Sequence, residues 1–399
     1  MSRFLFHMPA PWMKTGYGQQ GGLLAREVRD AGHEVTISSF GGLQGRSIDW
    51  EGITVLGGSR EAHGNDFLGV RAASWLGDGP GLILTFGDTW AFNPRVLRGA
   101  PVAMWTPVDT SKRMSVIDRA VISGAEAVPI AVSRHGEQMM TEAGLAPEYM
   151  PHAVDCSVFR PGDMGEARDL LEFPKDAFVI GFNGANTDAM PSRKALPQQL
   201  QAFARFRKKH PDAVMALHTR IDGPDGSVHL HDLSEDLGIT NYLFYSDQIR
   251  YWEGSFSQEY LRTFYSACDV LSLTSFGEGF GLPLVEAQAC GTPVVTSNHS
   301  AMRELVGPGW LVNGEDWWHN DHLSWWLDPS VELIARAYGK AYDRAGSKRE
   351  AAREFALGWE VKRVADEHWL PVLERLVSRV VTRGDVDGMV QTVKPLVES

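Results

Sequence analysis

The strongest constraint in this sequence is a rhythm. Short apolar runs, each feeding a polar or glycine-containing loop and then a helical pattern, recur along most of the chain, as in parallel sheets covered by helices on both faces. Residues 3–8 are an apolar run and residues 15–22 a glycine-rich loop; Leu24, Val28 and Ala31 then recur at helical spacing before Gly32 and His33 stop the helix and residues 34–40 read as a strand. Further runs lie at 81–86, 101–106 and 128–132. Between Met150 and Lys175 the pattern is broken by Pro151, Pro161, Gly162 and Pro174. It restarts at 177–182 and continues through a helix over 196–209, strands over 213–218 and 242–245, a helix over 257–267, a strand over 269–274, a helix near 284–290 and a strand over 293–296. The prediction is α/β, with two doubly wound, Rossmann-like domains in tandem. The first covers 1–160, a linker 161–175 and the second 176–375; residues 331–379 read as mostly helical, and 376–399 as a tail packing back on the first domain.

A chain of 399 residues, 43% hydrophobic and 22% charged, has the balance of a soluble globular protein of two or three domains. No segment approaches the ~20 apolar residues of a membrane span. Cys156, Cys268 and Cys290 are odd in number and lack metal-ligand spacing, so neither a disulfide framework nor a zinc site is expected. After Met1 the chain soon meets Pro9 and Pro11, with no room for a secretory apolar core. Met1 therefore reads as the start of the folded domain, and the expected compartment is the cytoplasm. The net charge of −12 disfavours nonspecific attachment to nucleic acid without excluding a local basic groove.

The most informative segment runs from Ser275 to Ala287, Ser-Phe-Gly-Glu-Gly-Phe-Gly-Leu-Pro-Leu-Val-Glu-Ala, after a strand of the second domain. Open α/β sheets bind ligands at such strand ends. Gly279 and Gly281 let backbone amides approach a ligand, and Pro283 suits the first helical position, so free N–H groups and the positive end of a helix meet at one spot. That spot suits an anionic or hydroxyl-rich ligand. Glu278 and Glu286 could each hold a diol; for Glu286 the competing reading is a first-turn acid that offsets the helix dipole. Arg193 and Lys194 offer a fork and a point charge to a diphosphate, or are an exposed basic pair at a helix start.

Glu278 and Glu286, followed by Cys290-Gly291-Thr292-Pro293-Val294-Val295, resemble the paired-glutamate motif of the retaining family 4 glycosyltransferases of the GT-B fold. Pro151-His152-Ala153-Val154-Asp155 with Phe159-Arg160-Pro161 resembles that family's interdomain connector, Tyr265 to Val270 its entry to the glutamate loop, and Gly307 to Val312 the following strand. The resemblance implies two Rossmann-like domains facing a central cleft, a nucleotide diphosphate sugar as donor, and no metal or other cofactor. By that likeness Glu278 contacts donor-sugar hydroxyls, Glu286 the ribose, Gly279, Phe280, Gly281 and Leu282 the sugar and diphosphate, and Arg193 and Lys194 the leaving phosphates. Ala195 stands where the family often has glycine, which bears on the local turn only. The acceptor stays open among a small molecule, a lipid, a protein or a modified nucleic-acid base. Alternatives are a nucleotide-sugar epimerase on the same fold and an inactive nucleotide- or glycan-binding protein.

Gly16, Gly18 and Gly21 spell a literal G-x-G-x-x-G, but seven residues separate the strand from Gly16 and no acid closes the second strand, which disfavours an NAD site. The loop of Gly16, Tyr17 and Gly18 instead resembles the family's N-terminal loop facing the donor phosphates. Many family members carry a histidine near the end of the strand at 101–106, and this chain does not. Asp109 either replaces it or closes an Asx-type turn after Pro107; Asp88 is a weaker acceptor-side candidate. Asp385-Val386-Asp387 reads as a turn, and His229, His231 and Asp232, like His319 and His322, as solvated loops without a third metal ligand. Trp310, Trp317, Trp318, Trp325 and Trp326 crowd one short stretch, which is either an aromatic platform for the acceptor or a helix packed on the domain or on another copy.

Overall fold

The computed structural model describes residues 1–77, 80–188 and 191–383. The first sheet has strands β1 (Arg3–Met8), β2 (Glu34–Ser39), β3 (Ser47–Trp50), β4 (Ile53–Leu56), β5 (Gly81–Phe86), β6 (Val102–Thr106), β7 (Val128–Ala131) and β8 (Glu148–Tyr149). Their order is β3-β4-β2-β1-β5-β6-β7-β8, parallel throughout except for the antiparallel edge pair β3–β4. The second sheet contains β9 (Phe178–Asn183), β10 (Ala213–His218), β11 (Leu243–Tyr245), β12 (Val270–Leu273), β13 (Val294–Ser297) and β14 (Trp310–Val312), all parallel in the order β11-β10-β9-β12-β13-β14. Both are doubly wound, as the apolar runs predict. The strand order reverses between β1 and β5 in one domain and between β9 and β12 in the other, so each sheet has a crevice at its strand C-termini.

Residues 161–175 are not a bare linker. They contain the helix Met164–Leu171, whose Arg168 reaches the Asp269 carboxylate at 2.7 Å and the Ala267 carbonyl at 3.0 Å in the second domain. The chain crosses back to the first domain before residue 376: Val361 N–H donates to the Val154 carbonyl, and Trp369 Nε1 donates to the Pro151 carbonyl at 2.7 Å beside Trp105. The helix Leu370–Arg383 follows. The end of the chain, with Asp385 and Asp387, lies outside the described residues. Among the described residues no helix is long and apolar enough to cross a membrane, and the three cysteines are buried and unpaired.

Two expected elements differ. The glycines of 15–22 open a helix rather than a loop: Thr15 caps the helix Gly16–Asp30 by accepting from Gly18 N–H. A side chain at Gly18 or Gly21 would strike the Met13 carbonyl or the Met8 sulfur, at 2.6 and 2.2 Å, so these glycines let the helix lie close on the chain beneath it. The tryptophan-rich stretch is no helix. After β14 the chain forms the antiparallel hairpin β15 (Gly314–His319) and β16 (Ser324–Pro329), pairing Trp317 with Trp326 and Trp318 with Trp325.

Candidate functional site

The two crevices face each other across a cleft of about 1250 Å³, lined by both domains and by the hairpin tip. From the second domain comes the loop after β12. Its helix, Leu282–Ala289, begins one residue earlier than Pro283 suggests, with Gly281 as the cap at φ +110° and no side chain capping the end. Among the described residues the N–H groups of Gly279, Phe280, Gly281 and Leu282 have no backbone acceptor, so they stay available to an anion at the positive helix end. Gly279 has a second reason to lack a side chain: a Cβ there would lie 2.0 Å from Pro107 Cβ of the first domain. At Gly277 it would meet the Asp109 carbonyl at 2.3 Å.

Arg193 and Lys194 are not a free surface pair. Lys194 Nζ donates to Glu278 Oε1 at 2.5 Å, Arg193 donates to Glu278 Oε2 at 3.0 Å and to the Gly277 carbonyl at 3.2 Å, and the Ser275 hydroxyl donates to Oε1 at 2.6 Å. Burial opposes the charge on Glu278, but Lys194 and Arg193 outweigh it and hold the carboxyl down at about 2. Arg193 is raised in turn, burial being overcome by Glu278 and by Asp109 beyond it. Both cations precede Ala195, a buried residue at φ +51°. That left-handed turn is where glycine would be unstrained; alanine adopts it at a cost of roughly 1–2 kcal/mol.

Glu286 sits beyond the first turn, fifth in its helix, so the dipole reading does not apply. It is buried, lines the cleft and accepts from the Tyr265 hydroxyl at 2.6 Å, while Asn183 at the end of β9 donates to that hydroxyl's oxygen at 2.6 Å. Burial without a cation raises its carboxyl to about 7, against the smaller opposing effect of the Tyr265 bond. His218, Tyr251, Trp252 and Phe256 form an aromatic wall at this domain's side of the cleft, with Arg220 stacked 3.4 Å over Trp252.

The first domain contributes Gly16 and Tyr17 from its helix start, Asp88 after β5 and Asp109 after β6. Gly18 turns inward and does not line the cleft. The Tyr17 hydroxyl donates to Asp88 at 2.8 Å, and burial raises both groups above their ordinary values. Among the described residues no hydrogen bond engages the Asp109 carboxylate, so of its two readings the Asx turn is not formed. His152 from the connector also faces the cleft, packed edge-on against Trp105 and near Phe280; burial alone lowers it to about 3, so it is neutral.

The hairpin supplies what the sequence reading missed. His319 and His322 are not a solvated loop but cleft residues, their rings 4.1 and 5.6 Å from Trp326. Its other face clamps the first domain: Ser111 N–H donates to the Trp325 carbonyl at 2.9 Å, Lys112 pairs with Asp316, and Arg113 donates to the Leu323 carbonyl at 2.7 Å while lying over Trp318. The signal was present in the order Trp-Trp-His-Asn-Asp-His-Leu-Ser-Trp-Trp, symmetric about a turn. Across the same interface Glu304 accepts from the N–H groups of Arg134 and His135. The group His231, Asp232 and Glu235 is on a helix, not a loop, and exposed.

Residues 174–317 match the family model described as Glycosyl transferases group 1. The D-inositol 3-phosphate glycosyltransferase of Stackebrandtia nassauensis is 31% identical over 248 residues, 59% of this chain and 52% of the relative. A second, from Catenulispora acidiphila, is 34% identical over 171 residues, 41% of this chain and 38% of the relative. The chain spans about half the length of the curated relatives it matches. Among solved structures, sucrose-phosphate synthase from Thermosynechococcus elongatus aligns with a TM-score of 0.74 at 17% identity, covering 96% of this chain and 100% of the other. HepE of Anabaena, in complex with UDP-glucose, aligns at 0.68 and 17% identity, with 96% and 100% covered. Residues 174–317 thus resemble a group 1 glycosyltransferase domain, and the chain as a whole has the two-domain GT-B fold of these solved structures.

Proposed function

We propose that this protein transfers a sugar from a nucleotide diphosphate sugar, held by the second domain, to an acceptor hydroxyl held on the first-domain side, with retention of configuration and without a metal. The observation that carries this reading is the convergence of the Glu278, Arg193 and Lys194 ion group, the open N–H groups from Gly279 to Leu282 and Glu286 within one interdomain cleft. The UDP-glucose bound in HepE supports the donor class. In the reaction, the bond from the anomeric carbon to the diphosphate oxygen breaks, with its electron pair leaving on the diphosphate. Arg193, Lys194 and the helix end stabilise that charge, an effect worth roughly 10²–10³ in rate per donor group. The acceptor oxygen bonds to the anomeric carbon on the face just vacated, and its proton passes to the departing phosphate oxygen. Glu286 holds the ribose hydroxyls.

Titration with uridine, guanosine and adenosine diphosphates, followed by nucleotide release from the matching sugars with chelator present, tests the reading. Binding of one diphosphate, and turnover that falls when Arg193 and Lys194 are both replaced, is expected. Failure of every diphosphate to bind, or wild-type turnover in the double variant, refutes it. The anomeric configuration of the product, read by NMR, tests retention.

A further inference from the structure

The matched family segment ends at residue 317, midway along β15, so the rest of the hairpin lies beyond it. The hairpin also sits where the reacting centre must be. The Asp109 carbonyl and the Trp326 indole converge on Gly277, next to Glu278, with a Gly277 Cβ falling 2.3 and 3.0 Å from them. Trp326 is buried, its Nε1 lacks a partner among the described residues, and it backs the half-buried rings of Trp317, His319 and His322 along the cleft. Trp317 and Trp326 are stacked at 6.1 Å and 27°. This is a preformed aromatic wall, fastened to the opposite domain through Ser111, Lys112 and Arg113.

Facing it are carboxylates. Asp88 and Asp109 line the first-domain side, and Asp321 lines the hairpin tip. Among the described cleft residues the only lysines and arginines are Lys14, Arg193 and Lys194. Arg193 and Lys194 are held by Glu278, and Lys14 lies toward Gly254, on the side of Tyr251 and Trp252. His319 is lowered by burial and by His322, so its ring is neutral near pH 7. An anion placed here would meet two or three carboxylates and no uncommitted cation, a repulsion strengthened by the partly dry wall.

Building on the transfer reading above, we propose that this end of the cleft is the acceptor subsite. The Trp317 face stacks a hydroxylated ring, and Asp88 and Asp109 select a ring bearing hydroxyl or ammonium groups and no phosphate. The acceptor class thereby differs from the one that the printed names of the relatives carry, inositol 3-phosphate.

The test titrates glucose, glucosamine, myo-inositol and their monophosphates by saturation-transfer NMR, with and without uridine diphosphate. At least one unphosphorylated ring should bind, at least tenfold more tightly than its phosphate ester. Trp317→Ala, and independently His322→Ala at the hairpin tip, should weaken that ring about tenfold while nucleoside diphosphate affinity stays unchanged. A phosphate ester binding as tightly as its parent, binding of no unphosphorylated ring at the highest soluble concentration, or full ring affinity in both variants would overturn the subsite. Because the ring titrations are also run without nucleotide, a failure of diphosphate binding counts against the transfer reading alone.

Discussion

Replacing Glu286 by glutamine isolates one carboxylate whose burial has two measurable consequences. A rise of its carboxyl from an ordinary 4.5 to about 7 means that the native state keeps a proton there which the unfolded chain has already released. Stability is therefore fully present below pH 4.5 and is lost as pH rises through 7, by about 3 kcal/mol in total and about 2.5 kcal/mol between pH 5 and pH 8. Glu286→Gln has no such proton, so its stability relative to wild type should improve by about that amount from pH 5 to pH 8 in urea denaturation. Donor binding should move the other way. In the proposed function the carboxylate accepts the ribose hydroxyls, so wild-type affinity for a nucleoside diphosphate should fall about tenfold per pH unit below 7 and level off above it. The variant should bind more weakly at pH 8, and titration of the diphosphate itself cancels in the comparison. Tyr265→Phe removes the bond that opposes the rise and should move the wild-type profile to higher pH. Parallel pH dependences of wild type and Glu286→Gln, in stability or in binding, would refute the reasoning.

Lys194→Met leaves Glu278 buried with one cation fewer and should destabilise by about 3–5 kcal/mol; adding Glu278→Gln should restore most of the stability but none of the turnover, as denaturation and nucleotide release would show. Gly279→Ala sets a methyl against Pro107 and should cost about 1–3 kcal/mol, visible in calorimetry as a lowered or split transition. Asp109→Asn should leave stability within about 0.5 kcal/mol and reduce turnover on the order of 10²-fold, since its carboxylate supports no turn; unchanged turnover would remove it from the reacting centre.

What was legible in the sequence was what a parallel sheet imposes locally. Strands buried on both faces read as near-continuous apolar runs, so β1, β5, β9, β10 and β12 announce themselves, and their order places the glutamate loop at a strand end. Glycine was more ambiguous, because the residue type does not say which neighbour needs the space. Gly279 was read as room for a ligand and also makes room for Pro107, and Gly18 was read as a phosphate loop and makes room for the Met13 carbonyl. The hairpin was missed because its alternation divides two tryptophan pairs between a cleft and an opposing domain. Both faces are apolar, and the period that marks a half-exposed strand disappears. Contacts such as Glu304 with the helix start at Arg134 join residues far apart in the chain, and no local pattern encodes them.

The two glutamates of one motif end in opposite electrostatic states, and this decides what pH can report. A carboxylate has about four acceptor sites, and Lys194, Arg193 and Ser275 occupy three of those on Glu278, leaving one for a sugar hydroxyl. In the proposed reaction its first task is then to hold Arg193 and Lys194 in place, as a group with a net charge of +1 that would face the leaving diphosphate. Glu286, equally buried, accepts a side-chain hydrogen bond only from Tyr265 among the described residues, Asn183 donating in turn to that hydroxyl, and no described cation pairs with it. One titrates at about 2 and the other at about 7. Between pH 5 and pH 8 Glu278 stays ionised throughout while Glu286 changes state. A pH dependence of donor binding that disappears in Glu286→Gln therefore belongs to the Glu286 end of the site, the end proposed to hold the ribose, and the cation group acts as a constant background to it.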